Sequence, residues 1–416
     1  MTGDEAECYL LSLELFGMRF GLERMRRLMT ALGHPERTFG SLHVVGTNGK
    51  SSTTRMIAEI LRAHGLLTGA YTSPHLISFG ERIRIDDVDL TPEQFGAAVE
   101  RARRAAEKVD RTAEADDHVT QFEALTAAAY AEMAARGVEA AVIEAGLGGR
   151  FDATNVIPST VQVLTSVGLE HTRWLGPTVR DIAGEKLDVV QPGATLVLGA
   201  GLHPDAIDVA ERVAAQRGAT IVEAGTDPGV PVGAPGAFQR RNFALARAAA
   251  TAYLKDALDD AAVARAAAEV RVPGRLQQID TDPLTLLDGA HNPDAMVALV
   301  ESLSEIASGR RVVALVSILD DKDAAGMLST LAPSVAAFVF THSHNPRALS
   351  PATLLSLSRQ VQGVHGVQSE IVPDPHRGLE RARELAGADG VVVAAGSLYL
   401  VSDLLAPASR QRASSL

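Results

Sequence analysis

Leu42-His43-Val44-Val45-Gly46-Thr47-Asn48-Gly49-Lys50-Ser51-Ser52-Thr53-Thr54 reads as a buried strand that runs through a glycine turn into a helix. Gly46 and Gly49 permit turn conformations that a side chain forbids. The N–H groups of the helix start point toward an anion, and Lys50 adds a cation beside them. The segment is a shortened phosphate cradle of the form GxxGK[ST]; the full nucleotide pattern has a glycine five residues before Gly49, where this chain has Val44. A nucleoside triphosphate is the ligand such a cradle suits. Taken by itself, the stretch is also compatible with an ordinary glycine turn.

Composition bears on the same point. Of 39 basic residues only five are lysines, namely Lys50, Lys108, Lys186, Lys255 and Lys322. A coding bias that also inflates alanine accounts for the shortage, and under it the lysines that remain are those needed as a compact charge or a reactive amine. Lys50, Lys186 and Lys322 all fall inside motifs.

A chain of 416 residues is long for one core and predicts two domains. No apolar run approaches the roughly 18 residues that cross a bilayer, and the acidic start lacks the basic region of a signal peptide. The expectation is a cytoplasmic protein without membrane partners. Cys8 is the single cysteine, which excludes an internal disulfide and a cysteine-rich zinc site. A net charge of −12 argues against broad nucleic-acid binding. An anionic substrate must then be met by local positive potential from helix N-termini, a few Arg and Lys, and metal ions.

Apolar runs of strand length alternate with helical patterns: 42–45, 140–144, 161–164 and 195–198 read as strands of a parallel α/β sheet. Thr91-Pro92-Glu93-Gln94 marks a helix start after a loop over 73–90. A Gly/Pro loop over 225–236 inside the first domain leads to an Ala-rich helical region from about 240 to 270, which Val272-Pro273-Gly274-Arg275 ends. A second alternation follows, with strands near 284–288, 311–316, 336–340 and 390–394. The domains are therefore drawn at 1–271 and 272–416. The polar tail over 407–416 is expected to fray.

Further clusters sit where strands end in loops, the place where open α/β sheets bind ligands. Tyr71-Thr72-Ser73-Pro74-His75-Leu76 pairs hydroxyls with a rigid proline, and as a bare segment reads as a structural turn. Glu144 closes an apolar strand ahead of Gly146, Gly148 and Gly149; a buried carboxylate needs a partner, which makes it a metal ligand or a satisfied structural acid. His171, preceded by Glu170, is a structural histidine unless its strand lies beside that of Glu144. Lys186, on a short helix after that loop, would be a surface residue were lysine not so scarce. Asp288 and His291 repeat the strand-end theme in the second half and suit a ribose or a phosphate.

Together these segments resemble the folylpolyglutamate synthase/dihydrofolate synthase family of the Mur ligase superfamily. Eleven motifs match in order: GTNGK at 46–50, YTSPHL at 71–76, ERIRI at 81–85, FEALT at 122–126, EAGLGGRFDATN at 144–155, HTRWLG at 171–176, EK at 185–186, Asn242 in FQRRN, PGR at 273–275, DGAHNP at 288–293 and DKD at 321–323. The resemblance implies an α/β fold with a P-loop-containing, ATP-binding, Mur-ligase-like central domain, a smaller Rossmann-like C-terminal domain, and an active site in the cleft between them. It implies that ATP phosphorylates a carboxylate to an acyl phosphate, which the amino group of L-glutamate then attacks to form an amide.

By similarity, Lys50 contacts the phosphates within the loop Gly46, Thr47, Asn48, Gly49, Ser51 and Ser52. Ser52 or Ser51 with Glu144 holds one Mg²⁺, while Ser73, Glu144 and His171 surround a second. Lys186 matches the lysine that becomes carbamylated. Asn242 is expected at the adenine, and Arg275, Asp288 and His291 at the ribose and phosphates. Thr120, Phe122, Asp152 and Ala153 match positions that contact the pterin in members accepting dihydropteroate. Partners are small molecules only, namely ATP, L-glutamate and a folate or dihydropteroate, and the expected state is a monomer. This chain departs from the family pattern at Ser51, where glycine is common, at Glu170, where aspartate is usual, and at Leu187-Asp188-Val189 after the lysine. Two alternatives share the cradle: a Mur-type amino-acid ligase acting on a cell-wall precursor, against which the roughly forty residues before Leu42 are too few for a nucleotide-sugar domain, and a non-catalytic ATP-binding module, which would not need Glu144, His171 and Lys186.

Overall fold

The computed structural model describes residues 1–14, 21–113, 117–255, 257–361, 364 and 366–406; the tail expected to fray lies outside them. The chain divides into two compact units, the first made of Met1–Gly233 with Arg241–Val270 and the second of Ala234–Arg240 with Arg271–Leu416. The end of the Gly/Pro loop and the start of the following helix thus belong with the second unit. Gly236 explains this locally: at φ +100° its Cα lies against Leu276 and Ser302, and Ala237 N donates to Ser302 Oγ at 3.0 Å.

In the first unit the strands are β1 (Gly40–Val45), β2 (Thr68–Tyr71), β3 (Ile83–Ile85), β4 (Val88–Asp89), β5 (Ala140–Glu144), β6 (Val161–Leu164), β7 (Thr195–Leu198) and β8 (Thr220–Glu223). Their order is β4-β3-β2-β5-β1-β6-β7-β8. Only the β2–β3 and β3–β4 pairs are antiparallel. β5 and the last five residues of β1 are wholly buried, which is why they read as continuous apolar runs rather than alternating ones. From β1 the chain works outward on one side, returns as β5, and then works outward on the other side through β6 to β8. The strand order reverses at β1, and the crevice at its C-terminal end is the predicted ligand site of such a sheet.

On the face of the sheet that carries His43, Ile143 and Leu164, Gly3–Ser12, Glu23–Leu32, Pro92–Asp110 and Gln121–Ala135 form one core with Tyr71, Ala141 and Ile143, and Val179–Leu187 and Pro204–Arg217 form another with Val45, Leu164, Leu196 and Leu198. The helix at Pro92 starts as its sequence predicts, with Thr91 and Gln94 exchanging side-chain-to-backbone hydrogen bonds.

The stretch expected as a loop before it holds a 3-10 turn and the β3–β4 hairpin. Arg84 bonds Asp89 across that hairpin, and Asp86 and Asp87 take positive φ in its two-residue turn. The Ala-rich region is two helices, Ala237–Leu254 and Asp260–Glu269, the second capped by Asp259. β1 lies between β5 and β6, so Glu144 and the loop bearing His171 flank β1 and are not sheet neighbours of one another.

The second unit contains β9 (Gln277–Thr281), β10 (Leu284–Leu287), β11 (Val312–Val316), β12 (Ala337–Phe340), β13 (Gln368–Ile371) and β14 (Val391–Ala395), ordered β13-β12-β11-β14-β10-β9. β9 runs antiparallel to β10; the other pairs are parallel. The half-exposed edge strands β9 and β13 lack the apolar runs that revealed the others. No helix among the described residues is long and apolar enough to cross a membrane.

Candidate functional site

The turn after β1 has room for glycine only. A Cβ on Gly46 would lie 1.9 Å from Thr165 Oγ1, and Gly49, at φ +86°, would bring one to 2.8 Å from Asn242 Oδ1. The loop after β6 holds this turn in place. Thr165 Oγ1 donates to Asn48 O at 2.6 Å, Asn48 N donates to Ser166 Oγ at 2.9 Å, Thr47 N donates to Ser166 O at 2.8 Å, and Gly168 N donates to Thr47 Oγ1 at 3.0 Å. Sequence reasoning missed Thr165 and Ser166, whose signal was a hydroxyl pair at a strand end. The helix Lys50–Ala63 begins with Gly49 at its N-cap, so no capping side chain meets its first N–H groups.

Two lysines converge on one carbonyl. Lys50 Nζ donates to Gly46 O at 3.0 Å and to Thr47 O at 3.1 Å, and Lys186 Nζ donates to Gly46 O at 2.9 Å. Lys186 is buried on the helix Val179–Leu187. Burial first, and then the charge of Lys50, pull its amine down to about 7, while Glu170 and Asp152 act in the opposite sense. Near neutral pH a large share of Lys186 is therefore the free amine.

Glu144 ends β5 opposite Val44 of β1 and is 1% exposed. Its Oε1 accepts from Ser51 Oγ at 2.9 Å and its Oε2 from Ser73 N at 3.1 Å. The hydroxyl that meets Glu144 is thus that of Ser51; Ser52, the other candidate, is 1% exposed in the same helix turn. His171 stands in a left-handed conformation at the head of the short helix Thr172–Leu175, with Nε2 4.0 Å from Glu170 Oε1 and a half-exposed ring.

No group of three or more His, Cys, Asp or Glu that could hold a metal ion occurs among the described residues. The donor set at the turn, one carboxylate and one hydroxyl beside a phosphate cradle, nonetheless suits Mg²⁺. That ion keeps several waters and is held by one or two carboxylates together with substrate phosphates rather than in an all-protein cage.

The four residues matched to a pterin contact differ in their freedom. Thr120 caps the helix Gln121–Ala135, donating to Glu123 Oε2 at 3.0 Å, and Arg24 Nε pairs with the same Glu123 oxygen at 3.0 Å. Asp152 is buried and accepts from Leu147 N at 2.8 Å, Thr154 N at 3.0 Å and the Thr154 hydroxyl. Burial pushes its carboxyl up, and those hydrogen bonds pull it down. Because the Thr154 hydroxyl donates to Asp152, it accepts from His43 Nε2 at 2.8 Å, and burial holds that imidazole neutral by lowering it to about 4. Ala153 is buried beside them. Phe122 is only partly buried; its ring lies 6.1 Å from that of Tyr71 and against the bare Cα of Gly146.

Asn242 lies against the turn, its Oδ1 beside the Cα of Gly49. In the second unit Arg275 lies alongside Gly289, where a Cβ would come 2.1 Å from its Nη1, and His291 Nδ1 meets Gly289 O at 2.7 Å. Asp288 is 3% exposed, with each oxygen on a backbone N–H.

Residues 274–398 match the family model described as Mur ligase, glutamate ligase domain. Over 420 aligned residues the chain is 32% identical to a dihydrofolate synthase/folylpolyglutamate synthase of Bacillus subtilis, covering 94% of this chain and 95% of that one. The chain belongs to the folylpolyglutamate synthase/dihydrofolate synthase family. Its fold is that of the family as well. Mycobacterium tuberculosis folylpolyglutamate synthase complexed with ADP superposes with a TM-score of 0.88 at 30% identity, covering 97% of each chain. E. coli FolC in complex with DHPP and ADP gives 0.85 at 27%, again covering 97% of each. This is a ligase with the two-unit α/β architecture of its family.

Proposed function

We propose that this chain joins L-glutamate to the carboxylate of a folate or dihydropteroate at the expense of ATP, with the glycine turn after β1 as the phosphate site. The observation that carries this reading is the assembly at that turn: a helix N-terminus capped by Gly49, Lys50 and Lys186 on one carbonyl, and Glu144 joined to Ser51. Family membership supports the chemistry, since an ADP-bound relative shares the fold.

The chemical difficulty is electrostatic, because a carboxylate must approach a polyanion. The turn's N–H groups with Lys50 draw in the phosphates and stabilise the charge that develops on the transferring phosphoryl group. Mg²⁺, when bound, neutralises phosphate charge; Ser51 or Ser52 with Glu144 would hold one ion, and Ser73, Glu144 and His171 a second. Ser73 N fixes one Glu144 oxygen and Ser51 the other, so the acid is oriented before any ligand arrives. The amine of glutamate then attacks the acyl carbon, so that the C–N bond of the amide forms as the C–O bond to phosphate breaks and inorganic phosphate and a proton leave.

Lys186 is carbamylated in this reading. Its free amine adds CO₂ and releases a proton, and the resulting carbamate keeps one N–H for Gly46 O while replacing a positive charge with anionic oxygens. Asn242 serves the adenine; Arg275, Asp288 and His291 serve the ribose and phosphates. Phe122, backed by Thr120, Asp152 and Ala153, faces the pterin. The first unit is the ATP and folate domain and the second the glutamate-ligase domain, and the protein works as a cytoplasmic monomer.

The deciding experiment follows ADP release and product mass with dihydropteroate or a tetrahydrofolate plus glutamate, beside a muramyl nucleotide plus an amino acid. A product heavier by one glutamate on either pterin substrate is expected, and turnover on the muramyl nucleotide alone would defeat the proposal. Loss of activity in Lys186→Ala with partial rescue by acetate is expected for the carbamate. Full activity of Lys186→Arg would exclude it.

A further inference from the structure

His43 is a buried titratable group within an apolar strand, outside the phosphate and metal chemistry described above. It stands beside Ile143 of β5, on the sheet face packed by the helix Gln121–Ala135. An imidazole buried there needs a partner, and its Nε2 lies 2.8 Å from Thr154 Oγ1. The direction of that bond follows from the next one. Asp152 accepts from Leu147 N at 2.8 Å, from Thr154 N at 3.0 Å and from the Thr154 hydroxyl. These donors oppose the burial that would neutralise the acid, and a carboxylate can only accept.

The single hydroxyl hydrogen of Thr154 is therefore committed to Asp152, its oxygen is left as an acceptor, and His43 carries its proton on Nε2. Burial lowers this imidazole to about 4, so near neutral pH it is uncharged and holds one ring N–H. Thr154 is itself pinned: it is fully buried, its N–H is on Asp152, and its carbonyl accepts from Tyr130 OH at 3.1 Å and from Ile157 N at 3.2 Å.

We infer that His43 is a positioning residue for Asp152: its Nε2–H turns the Thr154 hydroxyl toward the acid, which is thereby held in one orientation at the pterin site. The inference rests on the reading of Asp152 as a pterin contact and deepens it. The pyrimidine edge of a pterin presents a ring N–H and an amino group, both donors, and a carboxylate of fixed direction is the acceptor that such an edge requires.

The first test reads the tautomer in the unaltered protein, with nitrogen-15 histidine and the His43 signal assigned by its loss in His43→Gln. The proton should be on Nε2, with Nδ1 bare. A proton on Nδ1 would make Nε2 an acceptor, send the Thr154 hydroxyl to His43 instead of Asp152, and overturn the inference. Kinetics follow, on the pterin substrate that the enzyme turns over. His43→Leu removes the donor and should raise KM for that substrate about tenfold, with kcat within about threefold and ADP affinity within about twofold. Damage to β1 itself would lower ADP affinity as well, because that strand leads into the phosphate turn. His43→Gln, whose amide can place an N–H close to the position of Nε2, should restore KM to within about threefold. Thr154→Val removes the relay and should match His43→Leu, and combining the two should change KM by less than about twofold more.

Unchanged KM in His43→Leu, ADP affinity falling as far as KM rises, or effects that multiply in the double variant would each overturn the inference. If His43→Leu does not fold, the tautomer and Thr154→Val decide. Unchanged KM in Asp152→Asn would remove the pterin reading itself, and this inference with it.

Discussion

Each unit has a turn that leads from a parallel strand into a long helix, and the two turns treat the helix N-terminus in opposite ways. After β1, Gly49 occupies the N-cap with no side chain to offer, and the acid on the neighbouring strand, Glu144, bonds the hydroxyl of Ser51 in the first helical turn. After β10, Asn292 closes its own helix by accepting from Ala295 N at 2.8 Å, Pro293 fills the first position where no N–H is needed, and Asp288 turns inward onto the backbone. Similar strand-to-helix turns thus give one helix end without a side-chain cap and one sealed by the chain itself. A strand-end acid can hold either a ligand's surroundings or the protein's own backbone, and local packing decides which.

The hardest way to break this comparison is Lys50→Ala. If the turn after β1 is the phosphate site, kcat/KM falls by at least ~100-fold, about 2.7 kcal/mol of transition-state stabilisation, with little change in Tm. Near-normal turnover would leave the open helix end without a function.

Lys186 sharpens the electrostatic side of the comparison. Its folded pKa of about 7 lies below the ~10.4 of an unfolded lysine, so the unfolded chain binds more protons between those values. The penalty is fully present below pH 7 and shrinks as pH rises through the window. In CO₂-free buffer, the stability of the wild type relative to Lys186→Met should therefore increase from pH 7 to 9.5. A flat difference in urea unfolding would mean that the buried amine is not perturbed as described.

Gly49→Ala probes the open turn itself. A left-handed φ and a contact 2.8 Å from Asn242 Oδ1 should together cost about 1–2 kcal/mol, seen as a lower urea midpoint and a weaker ADP affinity. If ADP binding is unaffected, the helix end does not hold the nucleotide. The smallest effect belongs to the sealed turn: Asn292→Ala should lower stability by about 1 kcal/mol and leave kcat within about twofold. A large loss of kcat there would show that the second turn is not merely closed on itself.

Much of the first site was legible in the chain because its signals are local. The runs at 42–45, 140–144, 161–164 and 195–198 lie within observed strands. The glycines at 46 and 49 have the conformational need that their spacing implied. Scarcity of lysine singled out Lys186 although its helix position looked like surface. The β3–β4 hairpin and the edge strands β9 and β13 were missed because short, half-exposed strands bury too little to leave an apolar run.

The residues by themselves determined where strands end, which turns require glycine, and which acids and lysines are set at strand ends, since each follows from a few consecutive side chains. Only the tertiary structure decided that β1 separates Glu144 from the His171 loop and that Ser51, 93 residues away, is the hydroxyl meeting Glu144. It also decided that Lys186 reaches across 140 residues to the carbonyl Lys50 already holds, and that Asp288 faces its own backbone. Those outcomes depend on the order and register of distant strands and on burial, which change a group's partners and its charge without changing anything in the sequence around it.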